Sequence, residues 1–152
     1  MSVVAWDGKT LAADKMSVYE NTIIKTKKMR KLPSGEVFAW AGSVENALAV
    51  VKWYEDGQND IEWPKCQETN DYAQVVFLKD GKLYEFEQMP IPQEVTGFPR
   101  AWGSGATFAL GAMAMGADAI KAVKITATLC NTVGLGVDHF TIEKKNDRKN
   151  PS

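Results

Sequence analysis

The sequence predicts an α+β fold in which antiparallel strands are interrupted by helices. Asp7-Gly8 and Asp80-Gly81 each separate two short runs rich in apolar residues, which is a strong signal for a β-hairpin. Residues 43–57 and 106–133 instead carry apolar residues at helical spacing. Antiparallel strands and helices in this alternation favour a layered α+β architecture.

The first half of the chain begins with the hairpin "VVAW"–"KTLAA". Residues 18–32, which carry several cations, read as one or two strands, and "EVFAWAG" at 36–42 reads as another strand. From Ser43, as N-cap, the pattern predicts an amphipathic helix that stops at Gly57. Residues 58–71 read as a loop or a partly ordered insertion.

The second half begins with the hairpin "YAQVVFLKDGKLYEFE" and a proline-bearing connector at 88–99. "RAWGSG" predicts a short strand that ends in glycines, and two helical stretches follow with a break at Gly116. "LGVDHFTIEKK" predicts the last strand. We therefore expect a single domain over 1–145 and a polar, disordered tail over 146–152.

Composition excludes several classes of protein. The 152 residues are 45% hydrophobic, and 18 Lys and Arg balance 19 Asp and Glu, which is typical of a globular protein and argues against a nucleic-acid binder or a polybasic membrane anchor. Neither a signal peptide nor an apolar run of about 20 residues is present. Cys66 and Cys130 fit no zinc or C-x-x-C spacing. We expect a cytoplasmic protein that contacts neither nucleic acid nor membrane.

The sequence lacks the residues or motifs that most common catalytic sites need. His139 is the only histidine and lies within a predicted strand, where a lone histidine is usually a packed or surface residue. No cluster of His, Cys and carboxylates has metal-ligand spacing. "GSGATFALG" is neither a dinucleotide fingerprint nor a phosphate loop.

A nucleophile at the chain terminus needs no histidine. Removal of Met1 would leave Ser2 with a hydroxyl and a free α-amine on adjacent atoms, and such an amine can act as the base for its own hydroxyl. A nearby Lys would lower the pKa of that amine, an Asp would hold the Lys, and a glycine N–H would stabilise an oxyanion.

The sequence offers a residue for each of these roles. Asp14 ends the second predicted strand, and Lys28 lies in the next one. Gly42 lies where a strand runs into a helix N-terminus, with its unpaired N–H groups and positive dipole end. Ser104 lies in a glycine turn that precedes another helix.

Four stretches carry a family resemblance: "SVVAWDGKTLAADK", "TKKMRKLPSGEVFAWAGS", "AWGSGATFALGAMAMGADAIKAV" and "ITATLCNTVGLGVD". In this order they resemble the β-type subunits of the proteasome family, in particular the bacterial HslV protease and its short bacterial and phage relatives. The resemblance implies the four-layer αββα sandwich of N-terminal-nucleophile hydrolases. It also implies peptide-bond hydrolysis through an acyl-enzyme, with no metal or organic cofactor.

The resemblance assigns a role to each candidate. Ser2 stands where the family has its catalytic N-terminal Thr, and Asp14 and Lys28 match the family's Asp and Lys beside the nucleophile. Gly42 matches the glycine of the oxyanion hole, and Ser104 the serine that hydrogen-bonds near the α-amine.

The chain departs from the family pattern at three positions. Ser2 lacks the methyl group of Thr, which helps to fix the hydroxyl rotamer. Asn131 and Gly134 stand where many members have an Asp and a Ser. Asn131 is therefore a secondary site candidate that can form hydrogen bonds but supplies no charge.

The resemblance further implies a homo-oligomeric ring, a peptide or unfolded-polypeptide substrate, and an ATP-dependent unfoldase as a partner. Two alternatives stay open. One is a ring-forming structural or interaction protein that has lost catalysis, which retained Met1 would favour. The other is an amidase that acts with the same nucleophile on a small acylated substrate.

Overall fold

The structure is a computed structural model that describes residues 2–66 and 72–143. It confirms the predicted α+β class. The strands are β1 Val4–Trp6, β2 Thr10–Asp14, β3 Met16–Tyr19, β4 Thr22–Lys25, β5 Met29–Lys31, β6 Val37–Ala41, β7 Gln74–Lys79, β8 Lys82–Phe86, β9 Gln93–Glu94, β10 Arg100–Trp102 and β11 Val137–Thr141. The helices are α1 Val44–Glu55, α2 Ala106–Ala114 and α3 Ala119–Leu129. The predicted tail at 146–152 and part of the predicted loop at 58–71 lie outside the described residues.

The first sheet has the strand order β10-β1-β2-β11 and contains the predicted N-terminal hairpin. Val4 pairs with Ala13 across β1 and β2. The Asp14 N–H then donates to the Val3 carbonyl at 3.2 Å, so the ladder continues one residue beyond the strands. This register places Asp14 beside the start of the chain.

The second sheet has the order β5-β6-β7-β8-β9 and contains the second predicted hairpin, β7–β8. Asp80 and Gly81 both have positive φ, at 52° and 77°. A two-residue turn with positive φ at both positions matches the twist of the strands that it joins. Strands β3 and β4 form a separate two-stranded hairpin.

Three hydrophobic clusters hold these elements together. The first lies where α1 packs on the second sheet, the second between the two sheets, and the third where α2 and α3 pack on the first sheet. Strand β6 serves two of them, because Phe38 and Trp40 belong to the first cluster and Val37, Ala39 and Ala41 to the second. This alternation follows from the two-residue period of a strand. Because both faces of β6 are buried, apolar residues occupy every position of the strand.

Three boundaries differ from the sequence-based expectation. Residues 18–32 form most of the β3–β4 hairpin and the separate strand β5, and Lys28 lies just before β5 and not within a strand. The Lys28 carbonyl nevertheless accepts a hydrogen bond from Trp40 N at 3.0 Å, so its backbone is paired with β6. Helix α3 ends at Leu129, with Cys130 as C-cap, and not at residue 133.

Within the described ranges, no helix combines the length and the apolar character needed to cross a bilayer.

Tyr54, on α1, donates a hydrogen bond to the buried carboxylate of Glu36. Burial raises the pKa of the Tyr54 hydroxyl well above its ordinary value, and the hydrogen bond to Glu36 raises it further. Burial alone would raise the pKa of Glu36, but hydrogen bonds from Tyr54, Ser34 and the Glu36 backbone, together with the positive charge of Lys79, outweigh it and lower that pKa. The pair therefore joins α1 to the start of β6 with a neutral phenol and a charged carboxylate.

We predict that Tyr54→Phe loses about 1.5–3 kcal/mol of unfolding free energy at neutral pH, the usual effect of a lost hydrogen bond to a charged group. Above pH 10 the unfolded tyrosine ionises while the folded one stays neutral. A raised folded-state pKa contributes stability that is lost as the pH rises, here by at most about 1.4 kcal/mol per pH unit. The wild type should therefore lose stability faster than Tyr54→Phe above this pH. The unfolding free energy of both proteins is measured by urea titration at several pH values. The same pH dependence in both would contradict the raised pKa of Tyr54.

Candidate active site

Three polar side chains that the sequence singled out are almost completely buried: Ser2 (2% exposed), Asp14 (0%) and Lys28 (2%). Ser2 directly precedes the paired residue Val3, Asp14 ends β2, and Lys28 precedes β5. Buried polar groups of this kind are expected to be hydrogen-bonded or paired.

The Asp14 carboxylate connects the parts of the site. Its Oδ1 accepts from the Val3 N–H at 3.1 Å and from Lys28 Nζ at 2.8 Å. Its Oδ2 accepts from the Met16 N–H at 3.2 Å and from the Gly134 N–H at 3.1 Å. One carboxylate therefore fixes the backbone on both sides of β2, the loop after α3, and the buried ammonium.

Lys28 is held in a single position by two acceptors. Its Nζ donates to Asp14 Oδ1 and to the Met16 carbonyl oxygen. Burial lowers the pKa of Lys28, although the hydrogen bond and the negative charge of Asp14 act in the opposite direction. Its neighbour Lys27 is exposed, so the alternation of an extended segment selects one inward lysine from a run of cations.

The turn after β10 brings Ser104 against Ser2. The Ser2 N–H donates to Ser104 Oγ at 3.2 Å, and the Gly105 N–H donates to the Ser2 carbonyl at 3.1 Å. Gly103 has a φ of +97°, and a Cβ there would lie 2.2 Å from the Ser2 carbonyl oxygen. The "GSG" sequence is thus explained by a left-handed turn that closes on the first strand.

Gly42 occupies the turn between β6 and α1, also with a φ of +97°. Ser43 caps α1 by accepting from the Asn46 N–H at 3.2 Å. The preceding residue, Ala41, lies 3.1 Å from the Cβ position of Gly103 and thus near Ser2. In the described part of the chain no hydrogen bond uses the Gly42 N–H, so this donor is available at the positive end of a helix dipole.

The secondary candidate Asn131 is exposed, and no hydrogen bond within the described residues joins it to the site. Its neighbour Thr132 contacts Ser104 instead, with the two hydroxyl oxygens 3.3 Å apart. Sequence reasoning missed Thr132, and it also missed the Gly134 N–H as a donor to Asp14. Both lie within a few residues of Asn131, but the direction of a side chain in an irregular turn has no periodic signal.

The Ser2 nitrogen therefore lies against the Ser104 hydroxyl, and the N–H of the next residue, Val3, shares Asp14 Oδ1 with the buried Lys28 ammonium. With Met1 removed, the Ser2 hydroxyl, its α-amine and a buried ammonium are the types of group that act as nucleophile, base and electrostatic stabiliser. Among residues 2–66 and 72–143, no group of three or more His, Cys, Asp or Glu side chains is arranged to hold a metal ion.

Among the solved structures that are similar to this chain, two match it over nearly its whole length. The Thiobacillus denitrificans protein BPH, in complex with epoxomicin, has a TM-score of 0.72 and 18% identity, covering 96% of this chain and 100% of that one. HslV from Trypanosoma brucei has a TM-score of 0.69 and 20% identity, covering 94% and 99%. This chain has the HslV fold. No protein-family model and no curated protein sequence matches it.

The HslV fold confirms the resemblance in the four quoted stretches as far as the architecture is concerned. Identities of 18–20% show a shared fold and leave the activity to the residues of the site. The order of Ser2, Asp14, Lys28, Gly42 and Ser104 along this chain, and the hydrogen bonds that link Ser104 to Ser2, Asp14 to Val3 and Lys28 to Asp14, are therefore the observations from which function is argued.

The close contact at Gly103 can be tested with a matched glycine. Gly116 also has positive φ, at +106°, but a Cβ there meets nothing within 4 Å. We predict that Gly116→Ala loses about 1–2 kcal/mol of unfolding free energy from backbone strain. Gly103→Ala should lose about 1–3 kcal/mol more, because its methyl group overlaps the Ser2 carbonyl. Equal losses in chemical denaturation would show that the turn does not press on Ser2.

The Asp14–Lys28 pair can be tested against an accessible ion pair. We predict that Asp14→Asn loses about 3–5 kcal/mol of unfolding free energy, since it leaves the Lys28 ammonium buried without a counter-charge. The control is Asp138→Asn, which removes a partly exposed pair with Lys15 and should change stability by less than about 1 kcal/mol. Asp14→Asn combined with Lys28→Met should recover part of the loss. A single variant as stable as the control would contradict the role of Asp14.

Proposed function

We propose that this protein is an N-terminal-nucleophile peptidase whose nucleophile is Ser2 after removal of Met1. The observation that carries the proposal is the convergence of Ser104, and of Asp14 with its partner Lys28, on Ser2 and Val3, the two residues before β1. Asp14 binds the Val3 N–H, Ser104 binds the Ser2 nitrogen, and Lys28 is buried against Asp14. A chain terminus without a chemical role gains no stability from these three residues. The end of a strand can fray, and it needs no buried charge beside it.

In the proposed reaction, Ser2 Oγ adds to the carbonyl carbon of a peptide bond while its proton passes to the Ser2 α-amine. The Gly42 N–H donates to the resulting oxyanion. The C–N bond then breaks, and the leaving amine takes the proton back from the α-ammonium. A water molecule attacks the Ser2 ester by the same proton route and releases the acid.

Lys28 and Asp14 support this chemistry electrostatically. An ammonium near the α-amine disfavours a second positive charge and keeps more of the amine neutral at working pH. Asp14 holds Lys28 Nζ at 2.8 Å and so fixes the position of the cation. Replacing Thr by Ser at the nucleophile removes a methyl group, and the burial of Ser2 supplies part of the lost rotamer restriction.

The proposal extends to architecture and assembly. We infer an αββα sandwich, which the order α1, second sheet, first sheet, α2–α3 in the three clusters supports. Large apolar side chains are exposed on the β3–β4 hairpin and on the α2–α3 face, among them Tyr19, Ile23, Phe108, Met115 and Leu129. Such surfaces favour association. We infer a cytoplasmic homo-oligomeric ring that takes unfolded polypeptide, with an ATP-dependent unfoldase as partner.

The direct test is reaction with epoxomicin, the compound bound to BPH in the solved complex. An epoxyketone forms its stable ring only with a hydroxyl and a free α-amine on the same residue. We predict that intact mass shows the loss of Met1 and one adduct per chain, and that Ser2→Ala forms no adduct. Peptide cleavage should be lost in the same variant. Native mass spectrometry of the sample reports the number of subunits.

Ser2→Thr is the matched control, because it keeps the hydroxyl and the amine and restores the missing methyl group. It should form the adduct at least as fast as the wild type. A chain that begins at Ser2, is folded, and forms an adduct in neither the wild type nor Ser2→Thr would overturn the proposed activity. An adduct without peptide cleavage would favour action on a small acylated substrate.

A further inference from the structure

A row of hydrogen bonds leads from Ser2 to the end of α3. The Ser2 nitrogen lies 3.2 Å from Ser104 Oγ, and Ser104 Oγ lies 3.3 Å from Thr132 Oγ1. Thr132 Oγ1 in turn lies 3.1 Å from Cys130 Sγ. The proposed reaction uses Ser104 and assigns nothing to the other two residues.

The turn that carries Thr132 is fixed by packing. The Val133 N–H donates to the Cys130 carbonyl at 3.3 Å, and the Val133 side chain is buried. A Cβ at Gly105, the residue after Ser104, would lie 3.2 Å from the Val133 side chain. The two turns therefore meet side by side, which holds the Thr132 hydroxyl against Ser104.

The direction of the hydrogens along this row decides what Ser104 can do. A hydroxyl has one hydrogen and two lone pairs. To accept from the Ser2 nitrogen, Ser104 must direct its own hydrogen elsewhere, and Thr132 Oγ1 at 3.3 Å is nearer than the Ser2 carbonyl oxygen at 3.5 Å. Thr132 can then donate to Cys130 Sγ. All donors would then point away from the Ser2 nitrogen.

We propose that Thr132 is a positioning residue that keeps Ser104 as an acceptor toward the Ser2 α-amine. This inference rests on the proposed function. When the amine takes the proton of Ser2 Oγ, the new ammonium needs an acceptor, and a row of hydroxyls polarised in one direction is a better acceptor than a single one. Thr132 touches no reacting atom and acts through Ser104.

Loss of Thr132 has a consequence with a defined sign. In Thr132→Val the Ser104 hydrogen is free to turn toward the lone pair of the neutral amine, which occupies the base and stabilises its unprotonated form. The amine pKa should fall by roughly half a unit, and the maximal rate of adduct formation by about fivefold, the effect expected of one hydrogen bond between neutral groups. Thr132→Ser keeps the hydroxyl and should restore both values.

The experiment uses chains produced behind a cleavable fusion, so that Ser2 is the first residue in every variant. The rate of epoxomicin adduct formation is measured against pH for the wild type, Thr132→Val and Thr132→Ser. The pKa of the α-amine is measured separately from the ¹³C shift of the Ser2 Cα during a pH titration by NMR. The second readout needs no catalysis, and therefore separates this inference from the proposed activity.

In Thr132→Val we expect a lower maximal rate of adduct formation, and a rise of that rate that begins at lower pH than in the wild type. Thr132→Ser should restore both. A purely structural effect would lower the maximal rate and leave its pH dependence and the amine pKa in place. That result, or a Thr132→Ser variant that behaves like Thr132→Val, would overturn the positioning role. A wild type that forms no adduct, while its α-amine pKa still differs from that of Thr132→Val as predicted, would give a split result. This result would support the positioning role of Thr132 and contradict the proposed peptidase activity.

Discussion

The structure depends on one buried carboxylate more than on any other polar group. Asp14 accepts hydrogen bonds from four donors that belong to the residue before β1, the start of β3, the lysine before β5 and the loop after α3. These elements come from both sheets and from both ends of the sequence. A charge at this position can be buried only because every partner is in place at once, so the fold and the site form together.

Around this carboxylate, two glycine turns set the shape of the site. Gly103 has no room for a side chain because the Ser2 carbonyl lies against it, and the position of Gly105 is closed by Thr126, Val3 and Val133. Gly42 provides the second turn, at the N-terminus of α1. Each turn ends a strand and begins a helix or leads to one. The two-sheet architecture therefore places backbone donors and hydroxyl groups next to the residues before β1 without any long loop.

The parts of the fold with a periodic or turn-specific signal could be predicted from the sequence. Both hairpins have Asp-Gly turns, and α1 has Ser43 as its cap. Lys28 could be singled out from its neighbours by alternation, although it lies outside a strand. The roles of Asn131 and Thr132 could not be predicted, because the irregular turn after α3 gives neither a period nor a cap to show which side chain faces Ser104. The hydrogen bond from the Gly134 N–H to Asp14 could not be predicted either, since almost every residue carries a backbone donor.

The energetics of the site favour a role in a reaction over a purely structural role. A buried ion pair adds little net stability compared with an apolar pair of the same size, because both charges lose their hydration. Left-handed glycines and a buried serine add no hydrophobic stabilisation either. A chain under selection for folding alone has no physical reason to concentrate Ser2, Asp14, Lys28 and Gly103 at the start of its first strand. Their concentration there has a simple reason if the terminal amine and the hydroxyl next to it take part in a reaction.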